Sequence, residues 1–337
     1  MGYKVVIPKV TDRLQPVSKE QARELIEHGH LRVPFDMSRV IQPLIKHFFD
    51  LTKTDPAYQE LWGFDEDGQG ESDTGLSGRS GQKKNPRHIT PEEIAQGRTH
   101  YDEGKWVFHF KPNLEGLLKR RGVELRPQFV ELLNYCQAMY TACLLTAYET
   151  ARALDKLLPG ADFYWRLRNN EGHNNLRMLR YKAGVPIKAR EHTDKGGFTV
   201  HVGSFPPALR IRPGASKRGD EKYPLLNAKE GELHDAIVFF ADQAIELANL
   251  KLKKENNPKL RTLYQKIKPL YHTVMDRREI PSLEKSKHLL QPGQKEKRKE
   301  DMDRWTIVCF IKLAPPRYIP PLTYPKPPKN DQTAARM

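Results

Sequence analysis

Between Leu158 and Asn175 this sequence changes texture, and that change limits the folds open to it. From Pro127 to Leu158, apolar residues recur at helical spacing through Phe129, Leu133, Cys136, Tyr140, Cys143 and Ala147. The spacing predicts one long helix with a face buried against a sheet. From Asn175 onward, short runs alternate apolar and polar residues between turn residues, the pattern of half-buried strands. The expected strands are Leu176–Tyr181, Phe198–Val202, Leu209–Arg212, Ala236–Phe240, His272–Val274 and Trp305–Leu313. Helices first and strands after, without α/β alternation, predict a mainly β chain with α. Its form would be a double-stranded β-helix (jelly-roll) core wrapped by N-terminal helices. The expected organisation is a single domain over 1–337: a mostly helical region 1–160, the jelly-roll core 161–316 and a proline-rich tail 317–337.

Local signals fill in the N-terminal half. Ser18 with Gln21 forms a capping box that opens a short helix, and Gly29 ends it. His30–Phe35 reads as a strand, after which Asp36 caps a helix with the stripe Ile41, Leu44, Ile45, Phe48 and Phe49. Residues 52–105 are polar and rich in Gly, Ser and Asp, which reads as a long functional or disordered loop. Gly68–Gly81 and the basic segment Lys285–Lys299 lack apolar spacing and are expected to act as lids over a site. Lys251–Lys268 reads as an insertion.

A formal net charge of +15 raises nucleic acid, anionic lipid or an acidic substrate as partners. The excess is dense between Lys251 and Arg304, but Glu and Asp interrupt it, and no aromatic residues interleave with it for base stacking. A solvated surface is the better reading, and nucleic acid the weaker one. The longest apolar runs, such as Ala236–Phe240, are too short to span a bilayer, so no membrane partner is expected. Nor does the N-terminus carry a secretory pattern, and a cytoplasmic enzyme is expected. Cys136, Cys143 and Cys309 show neither metal-ligand spacing nor a disulfide framework, and read as reduced, buried thiols. The sequence sets no oligomeric state.

The chemistry lies in Glu191-His192-Thr193-Asp194. On extended chain the two outer residues of an H-x-D pair point to the same side and can offer adjacent coordination positions. A third ligand must come from a distant strand, and His272 in Leu270-Tyr271-His272-Thr273-Val274 is placed for it. Two imidazoles and one carboxylate make the facial triad that holds Fe(II) and leaves the opposite positions open. Arg304 and Thr306 lie two residues apart on an alternating strand, a cation and a hydroxyl suited to anchoring a dicarboxylate. Together these features suggest an oxygenase using 2-oxoglutarate. His288 is the rival third ligand; His272, before an apolar Val, fits the pattern better. His201 and His234 are less suited.

Four elements occur in order: Leu176–Tyr181; His192-Thr-Asp with Gly196 and the strand from Phe198; Gly231 before Ala236–Phe240; then His272-Thr-Val and Arg304-Trp-Thr. In this order the chain resembles the 2-oxoglutarate/Fe(II)-dependent dioxygenases, in the branch that includes isopenicillin N synthase and plant hormone oxidases. The likeness covers residues 175–316. It extends more loosely to Glu27–Leu31 and Lys105–Phe110, which resemble that family's helical region. The segments Asp194–His272 and His272–Arg304 are longer than is usual there. The resemblance implies Fe(II) held by His192, Asp194 and His272, and 2-oxoglutarate held by Arg304 and Thr306. Arg177 and Tyr181 would hold cosubstrate or substrate, the alternative being ordinary strand residues. O2 would be the oxidant and ascorbate a supporting reductant. The implied reaction is hydroxylation, desaturation or cyclisation of a small molecule, with release of succinate and CO2. Halogenation is disfavoured, because halogenating relatives lack the carboxylate that Asp194 supplies. Arg79, Arg177 and Arg210 point to a carboxylate- or phosphate-bearing, or amino-acid-like, substrate. Three other readings stay open: a 2-oxoglutarate-independent iron oxidase, a basic nucleic-acid-binding protein on a jelly-roll scaffold, and a pseudoenzyme.

Overall fold

The computed structural model describes residues 16–37, 40–41, 43–45, 47, 75–77, 105–120, 122, 124–181, 189–205, 209–224, 226–228, 235–274 and 304–315. Phe48, Phe49, Arg79, His234, His288, Lys285–Lys299 and all of Gly68–Gly81 except 75–77 lie outside them. The first helix, α1 (Lys19–His28), begins and ends where its cap residues dictate. Ser18 Oγ accepts the Gln21 N–H at 3.1 Å and Gln21 Oε1 accepts the Ser18 N–H at 2.9 Å. Gly29 closes the helix at φ 76°, a conformation that costs glycine nothing, and its N–H bonds the Leu25 carbonyl. The chain turns there into β1 (His30–Pro34).

After β2 (Gly75–Ser77), β3 (Lys105–Phe110) and the short α2 (Leu114–Arg120), the long helix α3 runs from Pro127 to Leu157. All six residues of its expected stripe are buried, each large apolar one contributing about 1.5–3 kcal/mol. It lies on β4 (Asn175–Tyr181), β6 (Phe198–Phe205) and β11 (Arg304–Ile311), with α1 packed against it. Within this core the Cys143 thiol meets the Cys309 thiol, and burial pushes the Cys136 and Cys143 thiols up. The cysteines are free and buried, as expected of inert thiols.

With β9 (Asp235–Phe240), the large sheet has the order β1-β9-β6-β11-β4-β3-β2. A second sheet has the order β5-β10-β7-β8, made of Ala189–His192, Tyr271–Val274, Leu209–Arg212 and Leu226–Asn227. Every pairing is antiparallel. Alternation sorts β11 cleanly. Trp305, Ile307, Cys309 and Ile311 enter the core under α3, while Val308 packs with Leu179, Tyr181 and Val274 on the opposite face. Leu209 and Ile211 of the small sheet join Ile237 and Phe239 of the large one in a second apolar cluster. The two sheets therefore face each other, consistent with a jelly roll.

Each of the six expected strands is present, five within a residue or two of their bounds and Phe198–Val202 extended by three residues to Phe205. Three segments differ from expectation. Lys105–Phe110, grouped with a helical region, is strand β3, because Phe108 and Phe110 alternate into the core while Val107 packs with the opposite cluster. Gly75–Ser77, inside the expected long loop, pairs with β3. The β half is also not free of helices: α5 (Asp242–Leu252) and α6 (Pro258–Lys266) stand between β9 and β10, with α4 (Phe163–Arg168) ahead of β4. The segment read as an insertion is thus largely helical. Asn257 caps α6 by accepting from Lys259 N and Leu260 N, with Pro258 at the first position. Among the described residues no helix is long and apolar enough to cross a membrane.

Candidate metal centre

His192 is the last residue of β5, and the pairing with β10 sets His272 directly opposite it. The two rings lie 4.3 Å apart, centroid to centroid. Asp194 follows two residues on and is buried. Its Oδ1 is 3.7 Å from His192 Nε2 and its Oδ2 is 3.8 Å from His272 Nε2. One ligand atom from each of the three residues falls within 4.8 Å of the others. A metal bound at ~2.1 Å from each would draw them a little closer, and the donor set is the one that suits Fe(II) with open positions. Access is one-sided: the His192 side chain is 44% exposed, those of His272 and Asp194 9% and 7%.

The neighbours of these side chains fix their orientation. His272 Nδ1 lies 3.1 Å from the Leu270 carbonyl. A carbonyl only accepts, so Nδ1 carries a proton, and Nε2, the atom on the Asp194 side, is the one that could bind a metal. Thr199 Oγ donates to Asp194 Oδ2 at 2.6 Å. The Asp194 backbone is held as well: its carbonyl accepts the Asp242 N–H at 2.9 Å, and Gly196 and Gly197 carbonyls accept Gln243 N and Ala241 N. The turn thereby docks on the start of α5. It also meets the end of β11, where Gly197 N donates to the Ile311 carbonyl at 2.7 Å. A Cβ at Gly196 would sit 2.6 Å from Ile311 O, and one at Gly197 2.3 Å from Leu313 Cγ, so this approach requires glycine at both positions.

Behind the ligand strands, Glu191 pairs with Arg212 of β7. Glu191 Oε2 also accepts the Gly219 N–H at 3.0 Å, and Arg212 donates to the Asp220 and Tyr223 carbonyls. This network ties β5 to β7 and to the loop beyond it.

Arg304 is almost fully buried, its guanidinium 5.2 Å over the Tyr181 ring, and the two are register partners. Thr306 shares the face of Arg304. Its Oγ is 2.9 Å from the Gly203 carbonyl and 3.0 Å from His201 Nε2. Arg177 is also on this inner face, but it stacks 4.6 Å over Phe310 at the level of Val308, away from Arg304. Arg210 does not line the interior: Leu209 and Ile211 point there, leaving Arg210 with Arg212 on the other face. Sequence reasoning placed the three metal-ligand candidates together but gave no role to Thr199 or to the Glu191 side chain, and weighed His201 only as a poorly suited third ligand. Thr199 and His201 alternate with the apolar Phe198, Val200 and Val202, which is the signal that two polar side chains face the strand's other side.

No family profile matches the sequence, and no curated protein matches it. Solved structures do match in shape. A Caulobacter crescentus protein assigned to the 2OG-Fe(II) oxygenase family aligns with TM-score 0.57 and 13% identity, over 93% of this chain and 86% of that one. A Neurospora crassa protein in complex with alpha-KG and thymine aligns with TM-score 0.56 and 16% identity, over 88% and 79%. A dioxygenase for auxin oxidation from Arabidopsis thaliana, in its 2-oxoglutarate complex, aligns with TM-score 0.54 and 14% identity, over 88% and 91%. At these identities the likeness establishes architecture: this chain has the fold of the 2OG-Fe(II) oxygenases.

Proposed function

We propose that this chain is a single-domain, cytoplasmic Fe(II)/2-oxoglutarate-dependent oxygenase acting on a small molecule. The observation that carries the reading is the convergence of His192, Asp194 and His272, two imidazoles and a carboxylate within 4.8 Å. With iron bound, the site would couple O2 to decarboxylation of 2-oxoglutarate, giving succinate, CO2 and, in a hydroxylation, one oxygen atom inserted into a substrate C–H bond. The chain's own residues supply position and exclusion. Leu270 fixes the His272 tautomer and Thr199 aims the Asp194 carboxylate. Arg304, buried on the inner face, would bind the distal carboxylate of 2-oxoglutarate, since its planar fork offers paired N–H donors that match a carboxylate. Tyr181 backs that guanidinium, and Phe239, 5.0 Å from the His272 ring, gives the inner side an apolar wall.

The Neurospora crassa relative's complex with alpha-KG and thymine supports a small organic substrate. Arg177, on the inner face and half-buried, favours a substrate carrying a carboxylate or phosphate. Strands β1 and β3, which complete the large sheet from the N-terminal half, support one domain.

The test has two stages. Anaerobic calorimetry of the metal-free protein should give one Mn(II) or Fe(II) site, lost in His272→Ala. A metabolite screen under Fe(II), 2-oxoglutarate and ascorbate should then yield a substrate that releases succinate, followed by mass spectrometry. Full metal binding by His272→Ala would point to His288 as the third ligand. Substrate oxidation that needs no 2-oxoglutarate would replace this reading with the oxidase one.

A further inference from the structure

His201 takes no part in the metal centre, yet it is 4% exposed and lies on the inner face of β6, two residues beyond Thr199. Its Nε2 is 3.0 Å from Thr306 Oγ, and that same oxygen is 2.9 Å from the Gly203 carbonyl. Proton accounting fixes the roles. A hydroxyl has one proton and two lone pairs, and a carbonyl can only accept. The Thr306 proton therefore goes to Gly203, and His201 presents Nε2–H to the Thr306 oxygen. Gly203, at φ 148° beside the irregularity between Ile307 and Val308, brings its carbonyl to the hydroxyl.

This arrangement bears on Arg304, one step along β11 on the same face. With its proton committed to Gly203, the Thr306 hydroxyl turns only lone pairs toward an anion at Arg304. It must rotate to donate, and while it rotates the His201 N–H keeps the oxygen in place. We propose that His201 is a positioning residue of the anion pocket. Through Thr306 it sets how tightly the distal carboxylate of a dicarboxylate is held, without touching the metal. The inference rests on the oxygenase reading, because it takes 2-oxoglutarate as the occupant beside Arg304.

The test uses the full chain loaded anaerobically with Mn(II) and titrated by calorimetry with two α-keto acids. One is 2-oxoglutarate; the other is 2-oxopentanoate, which has the same chelating end and lacks the distal carboxylate. His201→Phe should weaken 2-oxoglutarate roughly 3- to 10-fold, the worth of one hydrogen bond, and leave Mn(II) and 2-oxopentanoate affinities unchanged. His201→Gln keeps an amide N–H donor and should recover most of the loss. In a Thr306→Val background, His201→Phe should add nothing further. Unchanged 2-oxoglutarate affinity in His201→Phe, or an equal loss for both keto acids, would overturn the proposal. Should the phenylalanine variant fail to fold, Thr306→Val must by itself show the selective loss of 2-oxoglutarate. If the wild type binds Mn(II) but neither keto acid, the oxygenase reading fails and takes this inference with it.

Discussion

Thr199 offers a sharp test of how the site is built. Its hydroxyl donates to Asp194 Oδ2 at 2.6 Å, and both residues are buried, so water does not readily take its place. Valine keeps the β-branched shape between Phe198 and Val200, both fully buried, and removes only the donor. A hydrogen bond to a charged group is worth about 1.5–3 kcal/mol. At about 1.4 kcal/mol per decade, Thr199→Val should weaken metal binding by roughly 10- to 100-fold, the range seen when partners of metal ligands are removed. The assay is competitive titration of the metal-free protein with Mn(II) or Co(II) against a chelator, alongside thermal melts without metal. Thr199→Ser, which keeps the hydroxyl and loses a methyl, should bind metal nearly as the wild type does. Wild-type metal affinity in the valine variant would refute the reasoning. So would an equal loss in the serine variant, since packing rather than the donor would then be responsible.

Other expectations follow from the same geometry. Arg304→Leu should raise the 2-oxoglutarate requirement by roughly two to nearly four orders of magnitude, because breaking a buried ion pair costs about 3–5 kcal/mol; an unchanged requirement by succinate release would remove Arg304 from the pocket. Asp194→Gly should fold yet lose native oxidation, and native-level turnover would show that the carboxylate is not a ligand. Gly196→Ala forces a Cβ to 2.6 Å from the Ile311 carbonyl; urea melts should show a loss of about 1–3 kcal/mol, with metal affinity falling too because the turn carries Asp194. Asp155 accepts the Phe163 and Tyr164 N–H groups, and burial pushes its carboxyl up to about 6 from 3.8. The native state therefore holds this proton more tightly than the unfolded chain does. Its contribution to stability falls as pH rises from about 4 to about 6, so Asp155→Asn should flatten that decline in denaturant melts.

What the sequence made legible was what local chemistry decides. The Ser18–Gln21 box and Gly29 fix α1 from within a few residues, and the stripe of α3 repeats often enough to need no tertiary context. H-x-D with a distant His-x-Val marked the metal-ligand candidates because few other arrangements use those residue types in that order. The misses arise where partners decide. Ala189–His192 carries no strand signal of its own and exists as β5 through its pairing with β10. Lys105–Phe110 resembles the family's helical region, but its alternating aromatics suit a strand, and it pairs with β4 and β2. The Thr306 hydroxyl illustrates a subtler limit: strand alternation placed it beside Arg304, but its proton's destination depends on Gly203 and His201, brought in by β6. Arg210 shows the same limit in reverse, an attractive cation on the outward side of its strand.

The strand that carries His192 is four residues long and, among the described residues, sits at the edge of the smaller sheet with β10 as its one partner. The Glu191–Arg212 pair ties its back to β7, and among the described residues its side chains are not part of the core under α3. Such an edge is among the first parts of a fold to open. A cation shared by His192, Asp194 and His272 would rivet that edge to its neighbour, stabilising the closed form by about 2.7 kcal/mol at a hundredfold excess over its dissociation constant. Amide exchange at Ala189–His192 should therefore slow sharply on metal loading, while exchange under α3 stays as it was.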